Sequence, residues 1–450
     1  MPRIYRREYS RRSAARRAGV NNALTHPPLE WRRNFVGDPP LPSATALARS
    51  QPAPRATPKR RAAPSSQRFA FVEVFDAIEA VRAPWAEIAA VAPASPYQSF
   101  DFARLWLETI GAARGVAPMI VVARDEAGDV VALLPLGAVR KGPLRLAAFL
   151  GGKDANLNLG LFRPGLAWSR EEIAALFREA ARLARPRVDA FLLVNQPRAW
   201  RGVANPIAVA ASQPSPSFAY KSALPADFSA WRDAHASKDA QKKLRKKAKR
   251  LEAMGALIHR RAVDGNEAER VLAAFDAQRG ARMRALGIPD AYASGPARAF
   301  LDGLALCGLA AGAPRLELHA LFLGDRIVAT FGALCAGDRM SGLFISYDAD
   351  PEIAKSSPGE LMVQAMVREA IERGLSTFDL GVGEARYKDE ACESVEELFD
   401  SAIAATPLGR LAALAFALKQ RAKRRVKHAP RLRALAARLR AALRRRGQAR

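Results

Sequence analysis

The sequence is short of the residues that organise disulfide or metal chemistry. Its three cysteines, Cys307, Cys335 and Cys392, stand far apart in 450 residues with no CxxC and no Cys/His grouping, which argues against a disulfide framework and a zinc site. Five scattered histidines, His26, His235, His259, His319 and His428, make no HExxH and no HxH pair, so no metal is expected. Long apolar runs are missing too: nothing reaches about 18 uninterrupted apolar residues, and the segment between Arg17 and Pro27 lacks the apolar core of a secretory signal. A cytoplasmic, unexported protein with reduced thiols is the expectation.

What is present suits an enzyme-sized globular chain. Hydrophobic residues make up 49% and charged residues 26%, close to ordinary folded usage, and the length asks for more than one domain. The net charge of +27 is unevenly placed. Residues 1–68 hold 15 Lys and Arg against 3 acids, and residues 410–450 hold 15 against none, which leaves 41 bases and 41 acids between them. The body is neutral and the excess sits in two tails, which attract any polyanion through a field that salt weakens. Residues 1–68, with Arg-Arg pairs and a Pro/Ala/Ser/Arg stretch, have too few periodic apolar positions to offset ordering and read as a disordered basic tail.

From Phe69 the pattern alternates between strand and helix. Residues 69–75 read as a strand with Asp76 as the N-cap of a helix over 77–90, and residues 99–111 as an amphipathic helix carrying Phe102, Leu105, Trp106 and Ile110. Met119–Arg124 and Val130–Val139 flank a Gly-containing turn and read as a hairpin, followed by a helix over 169–184 and a strand over 191–194. The plan then repeats: a hairpin 316–323/326–335, a strand 340–347, a helix near 358–373 and a strand 377–382. The fold class is therefore α/β, two tandem units at 69–215 and 216–405, each a mixed, mostly antiparallel sheet flanked by helices. One long helix, roughly 225–254 and ending at Gly255 as its C′ residue, links them.

Two segments of the second half carry candidate chemistry. In Lys355-Ser356-Ser357-Pro358-Gly359-Glu360-Leu361, Ser357 as N-cap, Pro358 at N1 and Glu360 at N3 make a capping box. Gly359 removes a side chain where free backbone N–H groups can meet an anion, although well-capped helices begin this way without any ligand. In Phe378-Asp379-Leu380-Gly381-Val382-Gly383-Glu384-Ala385-Arg386-Tyr387-Lys388, Asp379 shares a strand face with Gly381, and Glu384, Tyr387 and Lys388 follow. Those residues can supply a base, a proton donor and a cation for an oxyanion.

Tyr347-x-x-Asp350, Ser357-Pro358-Gly359-x-Leu361 and Phe378-Asp379-x-Gly381-x-Gly383-Glu384-x-x-Tyr387-Lys388, taken in order, resemble the GNAT-fold acyltransferases of the FemAB-like group. The chain is similar in particular to the cellulose-biosynthesis acetyltransferase branch. Leu361 lies one residue short of the family's usual spacing, where Met362 stands. Ser95-Pro96-Tyr97-Gln98-Ser99-Phe100 and the basic run before Leu251-Glu252-x-x-Gly255 add support, so that the resemblance spans about residues 69–430. It implies acyl-CoA as co-substrate, with its pyrophosphate on Ser356, Ser357, Gly359, Glu360 and Leu361. It also implies transfer of the acyl group to an amine or hydroxyl, in exopolysaccharide or cellulose biosynthesis. Asp379 or Glu384 is the expected base, Tyr387 the acid for the departing thiolate and Lys388 the oxyanion cation. The first half has no Ser-Pro-Gly, so only the second is expected to bind donor, whereas Gln98, Asp154, Asn156 and Asn158 are candidates to face a sugar, lipid or amine acceptor.

Two basic segments remain. Lys242, Lys243, Lys246, Lys247, Lys249 and Arg250 surround Leu244, Ala248 and Leu251 on one helix, with no interleaved aromatics. A solvated or phosphate-guiding face is expected there, and nucleic acid is not the expected partner. In the C-terminal tail, 406–450, leucines at helical spacing lie among arginines. This fits equally a helix on an anionic membrane surface, peripheral to the inner membrane, and a helix packed on the body or a partner. Two other function classes stay in view: a FemX-like transferase using aminoacyl-tRNA, for which the basic helix would matter most, and a non-catalytic membrane scaffold for polysaccharide synthesis.

Overall fold

A computed structural model describes residues 68–429, apart from 211, 288, 291 and the side chain of 386, together with the backbone of 59–62. The expected N-terminal tail and the end of the C-terminal tail lie outside the described residues, with one exception noted below.

Nine strands form the first sheet. β1 (Lys59–Ala62), β2 (Phe71–Phe75), β3 (Ala117–Arg124), β4 (Val130–Lys141) and β5 (Leu144–Phe149) pair antiparallel in succession, and the short β6 (Leu161–Phe162) adds to β4. Helices α1 (Arg82–Ala89) and α2 (Phe100–Trp106) lie between β2 and β3. Helix α3 (Arg170–Leu183) carries the chain to β7 (Ala190–Pro197), which pairs parallel to β5. Ser169 and Glu172 close a true capping box at the start of α3. A small ribbon, β8 (Ala199–Trp200) with β9 (Val203–Ala204), precedes β10 (Ser212–Pro214) and β11 (Ala219–Ala223).

The second half follows the same order. Helices α4 (Phe228–His235) and α5 (Lys238–Glu252) lead to β12 (Leu257–Arg261), and α6 (Gly265–Ala285) and α7 (Gly295–Leu306) lead to β13 (Glu317–Leu323), β14 (Arg326–Ala336) and β15 (Arg339–Tyr347). Strands β12 to β15 pair antiparallel in succession. The one-turn α8 (Pro351–Ala354) and α9 (Pro358–Glu372) then deliver β16 (Thr377–Val382), parallel to β15. After α10 (Arg386–Ala391) come β17 (Ser394–Glu396), β18 (Leu398–Ala404) and α11 (Pro407–His428). Each half is an antiparallel run followed by one helix crossover to a parallel neighbour.

The last strand of each sheet is exchanged. β11 precedes the second half and pairs antiparallel with β16, whereas β18 follows it and pairs antiparallel with β7 in the first sheet, with β10 on its far side. The stretch 398–404, placed by sequence in the unit 216–405, thus belongs to the nine-stranded sheet. The core explains why both halves hold together. Period-two alternation sends Met119, Val121 and Leu134 toward α3, and Ile120, Val122 and Leu133 into a second core. That second core also contains Phe275, Phe300, Leu318 and Phe344 of the other half, with Phe102 of α2 edge-on to Phe300 of α7 at 5.1 Å. A third core lies under α9, from Met362, Val363, Met366 and Val367.

Four local expectations differ. Residues 59–62, assigned to the disordered tail, form β1. Asp76 caps nothing: the helical segment starts at Glu79 behind Ile78 with no side-chain cap. The linker helix is broken at Ala236–Ser237, because the Ser237 side chain accepts from Ala240 N and starts α5 afresh. Gly255 is not its C′ residue, for Ala253 is the cap and Gly255 keeps an ordinary backbone angle.

A side chain of the first half is wedged into the second sheet. The parallel register of β15 and β16 spans only Arg339/Thr377 to Ser341/Asp379. Beyond it Asn156 donates through Nδ2 to Gly342 O at 3.1 Å and to the Tyr97 hydroxyl at 2.7 Å, and accepts through Oδ1 from Val382 N at 3.2 Å. Gly381 has φ +70°, and a Cβ there would lie 2.2 Å from Asn156 Nδ2. Gly381→Ala is expected to cost about 1–3 kcal/mol in urea unfolding from the backbone angle alone, with the clash on top. Adding Asn156→Ala should return the clash but not the backbone part, giving a coupling measurable in a double-mutant cycle.

Candidate active site

The start of α9 is built differently from the capping box that its sequence announces. α8 ends only three residues earlier, and Ser357 N donates back to Ala354 O at 3.0 Å, so Ser357 arrives in the left-handed region at φ +51° and its hydroxyl makes no cap bond. Lys247 of α5 reaches over instead, donating to Ser357 Oγ at 2.9 Å and to Glu360 Oε2 at 3.1 Å. Ser356 is fully buried, and its hydroxyl has no hydrogen-bond partner among the described residues. The helix start therefore combines the Gly359 N–H, an unpartnered hydroxyl and an ammonium, since Glu360 N and Leu361 N both donate to Ser357 O. Leu361 is half-buried against the core under α9.

Gly359 is needed for a reason the sequence does not disclose. A Cβ on it would stand 3.0 Å from Cδ1 of Tyr347, the last residue of β15. The Tyr347 hydroxyl accepts from Arg282 of α6 at 3.0 Å, and the field of Arg282 also reaches Tyr387. Burial pushes the Tyr387 phenol up, against the opposing effect of Arg282, so it stays protonated at neutral pH. Lys388 is buried and donates to Val382 O at 3.1 Å and more weakly to Gly381 O at 3.4 Å. Burial lowers its pKa to about 8. Glu384 is half-buried, within electrostatic reach of Lys427 and His428 at the end of α11.

Asp379 is fully buried and saturated. Its Oδ2 accepts from Arg339 Nε at 2.7 Å and Ser341 Oγ at 2.6 Å, and its Oδ1 from Gly381 N at 2.9 Å. Arg339 also contacts Glu396 Oε2 at 3.3 Å and lies over the Trp200 ring at 4.3 Å. Tyr97 is buried nearby, and burial first, then the Asp379 charge, raise its pKa well above the usual phenol value. Expected as a candidate base, Asp379 has both oxygens taken up by Arg339, Ser341 and Gly381 N, an arrangement that holds backbone in place.

Of the first-half candidates, Asn156 alone among the four bonds across to the second sheet. Gln98 is buried, donating to Leu157 O at 3.0 Å and accepting from Ser95 Oγ at 2.6 Å. Asp154 accepts from Trp106 Nε1 at 3.1 Å and Arg114 at 2.6 Å, and buried Asn158 donates to Gly152 O and Val194 O. Expected to face an acceptor, these three brace their own loop. Lys247, Arg282, Arg339 and Tyr97 emerge as site residues. Lys247 was legible only as one of a basic run, and a signal for Arg339 was a buried-strand acid, Asp379, that needed a cation.

The parting of β15 and β16, the start of α9 and the loop 383–388 all lie in the segment that the family comparison picks out, with Asn156 and Tyr97 reaching in from the first half. Residues 238–389 match the family model of the acetyltransferase (GNAT) domain. The crystal structure of FemX aligns with a TM-score of 0.51 at 12% identity, covering 73% of this chain and 97% of that one. That likeness shows the fold alone, and it extends across both halves. The C-terminal domain of a putative lysylphosphatidylglycerol synthetase from Agrobacterium fabrum aligns at a TM-score of 0.45, 12% identity, 76% of this chain and 95% of that one. A tandem GNAT protein from the clavulanic acid biosynthesis pathway aligns at 0.38, 13%, 72% and 93%. No curated protein matches the chain. The second sheet is thus a GNAT-like unit, and the first repeats its strand order.

Removing the Asp379 charge leaves Arg339 buried without its main partner. Asp379→Asn is expected to cost about 3–5 kcal/mol in chemical denaturation; a folded, equally stable variant lacking only activity would favour Asp379 as the base.

Proposed function

We propose that the protein transfers an acyl group from acyl-CoA to an amine or hydroxyl acceptor. The observation that carries this is the start of α9, where the buried, unpartnered Ser356 hydroxyl, the Gly359 N–H and Lys247 come together inside the GNAT-matched segment. A pyrophosphate is the natural ligand of such a helix start. Lys247 would exchange its pairing with Glu360 for the phosphate, and an amide-bearing arm would follow β15 beyond Gly342 on the side where its pairing with β16 has ended.

In this reading the acceptor O–H or N–H attacks the thioester carbonyl carbon, Glu384 takes the proton directly or through water, and the tetrahedral oxyanion collapses with cleavage of the C–S bond. Tyr387 protonates the leaving thiolate, and Lys388 steadies the negative charge. Asp379 and Asn156 are positioning residues that set where β15 and β16 separate. The acceptor class implied by the motif resemblance, a polysaccharide of the cellulose or exopolysaccharide type, forms part of the reading and rests on those motifs. A second reading, an aminoacyl-tRNA donor, is favoured by Lys242, Lys243 and Lys246, which stand exposed on α5 with Leu244 and Leu251 buried behind them.

Calorimetric titration with acetyl-CoA, free CoA and a longer acyl-CoA is expected to show saturable binding, weakened about tenfold or more in Lys247→Ala by loss of a charge-assisted hydrogen bond. Gly359→Glu should abolish binding, although its contact with Tyr347 makes Lys247→Ala the cleaner variant. No binding of any CoA species by the folded protein would overturn the reading in favour of the tRNA donor. The pH profile gives an independent check. Burial disfavours the charged form of Lys388, so the ammonium exists below about 8 and is lost above it. Turnover should fall as pH rises through about 8, and Lys388→Arg, which keeps its charge, should remove that limb.

A further inference from the structure

Helix α11 packs on the first sheet through small and apolar residues in its first half, Gly409, Ala412, Ala413, Phe416 and Ala417, and through polar ones in its second. Gln420 is buried and donates to Asp400 Oδ2 at 2.5 Å, Arg424 donates to Ser215 O at 2.9 Å, and Lys427 donates to Ser217 Oγ at 2.5 Å. Gly409 permits the contact at the other end, where a Cβ would run into Asp189 O. The outward side carries Leu408, Leu411, Leu414 and Leu418, spaced three, three and four residues apart, and the last three are 65%, 57% and 53% exposed. Successive members of such a series share one helix face. A row of leucines on the solvent side of a helix whose inward side is hydrogen-bonded to the body is an apolar stripe that calls for an occupant.

Charge decides among the occupants. Arg410, Lys419, Arg421 and Arg425 are exposed along the same helix, and the sequence contains no acid after Asp400. A second copy of the helix would bring like charges together, and residues 431–450, with Leu432, Leu435, Leu439 and Leu443 among arginines and no acid, would do the same. An anionic lipid surface satisfies both features, because leucines enter the boundary of the acyl chains while the cations stay with the headgroups. No described helix is long and apolar enough to cross a membrane. We propose that the outward leucine face of α11 docks the protein on an anionic lipid bilayer.

The test uses the full chain and two vesicle preparations in a sedimentation assay, phosphatidylcholine alone and phosphatidylcholine with about 30 mol% phosphatidylglycerol. The protein should pellet with the anionic vesicles and not with the neutral ones, with binding reduced in high salt. Leu411→Ser/Leu414→Ser should lower the partition coefficient about tenfold or more, and Arg410→Glu/Arg425→Glu should do likewise. Circular dichroism should be unchanged, since all four side chains are exposed. Failure of the wild type to bind anionic vesicles, equal binding to neutral ones, or full binding by both variants overturns the proposal. A concentration-dependent dimer that dissociates in the leucine variant, without vesicle binding, overturns it too and assigns the stripe to a second copy.

Discussion

Asp379 and Arg339 meet at the one place where the parallel strands of the second sheet are still paired. Arg339 opens β15, Ser341 is the last residue of β15 in register with β16, and both donate to the same carboxylate oxygen. Gly381 N takes the other oxygen and so turns the chain where β16 must leave its neighbour. A buried ion pair of this kind adds little net stability relative to an apolar pair, but it tolerates few alternative geometries. Here it fixes the residue at which the strands part, and with it the position of Gly342, Tyr347 and Lys388. Asn156 then occupies the opening that the pair creates, which is how the first half of the chain comes to shape a site in the second.

The electrostatics of the helix start follow from the same economy of space. Two helices separated by three residues leave Ser357 no extended conformation in which to cap, so its hydroxyl points to a lysine on α5. Lys247 and Glu360 neutralise each other at rest. An incoming dianion would displace a carboxylate from an ammonium already in place, so little reorganisation is needed at the moment of binding.

The elements were largely legible because alternation and helical spacing are local properties. The strands at 119–124, 316–323 and 377–382 and the helices at 169–184 and 358–373 carry their own patterns. Partners of strands are not local: nothing in Leu398-Phe399-Asp400-Ser401 states that it lies beside β7 and not beside β16. The capping box failed for a related reason, since Ser-Pro-Gly-Glu specifies a helix start but not the φ imposed by α8. In the candidate site, Tyr387 and Lys388 were readable as residue types, whereas the enclosure of Asp379 depended on an arginine 40 residues earlier in the chain.

The exchanged strands give the chain a particular history during synthesis. β7 is complete once residue 197 has been made, yet the strand that covers its edge ends at residue 404. At about 5–20 residues per second, some 200 residues take about 10–40 s, long compared with the folding of a small domain. For that interval the nascent first sheet presents an unsatisfied edge of backbone donors and acceptors, the kind of surface that other strands pair with. Ribosome-bound chains arrested just short of β18 would therefore be the species in most need of a chaperone, and the arrival of β18 the step that seals the sheet.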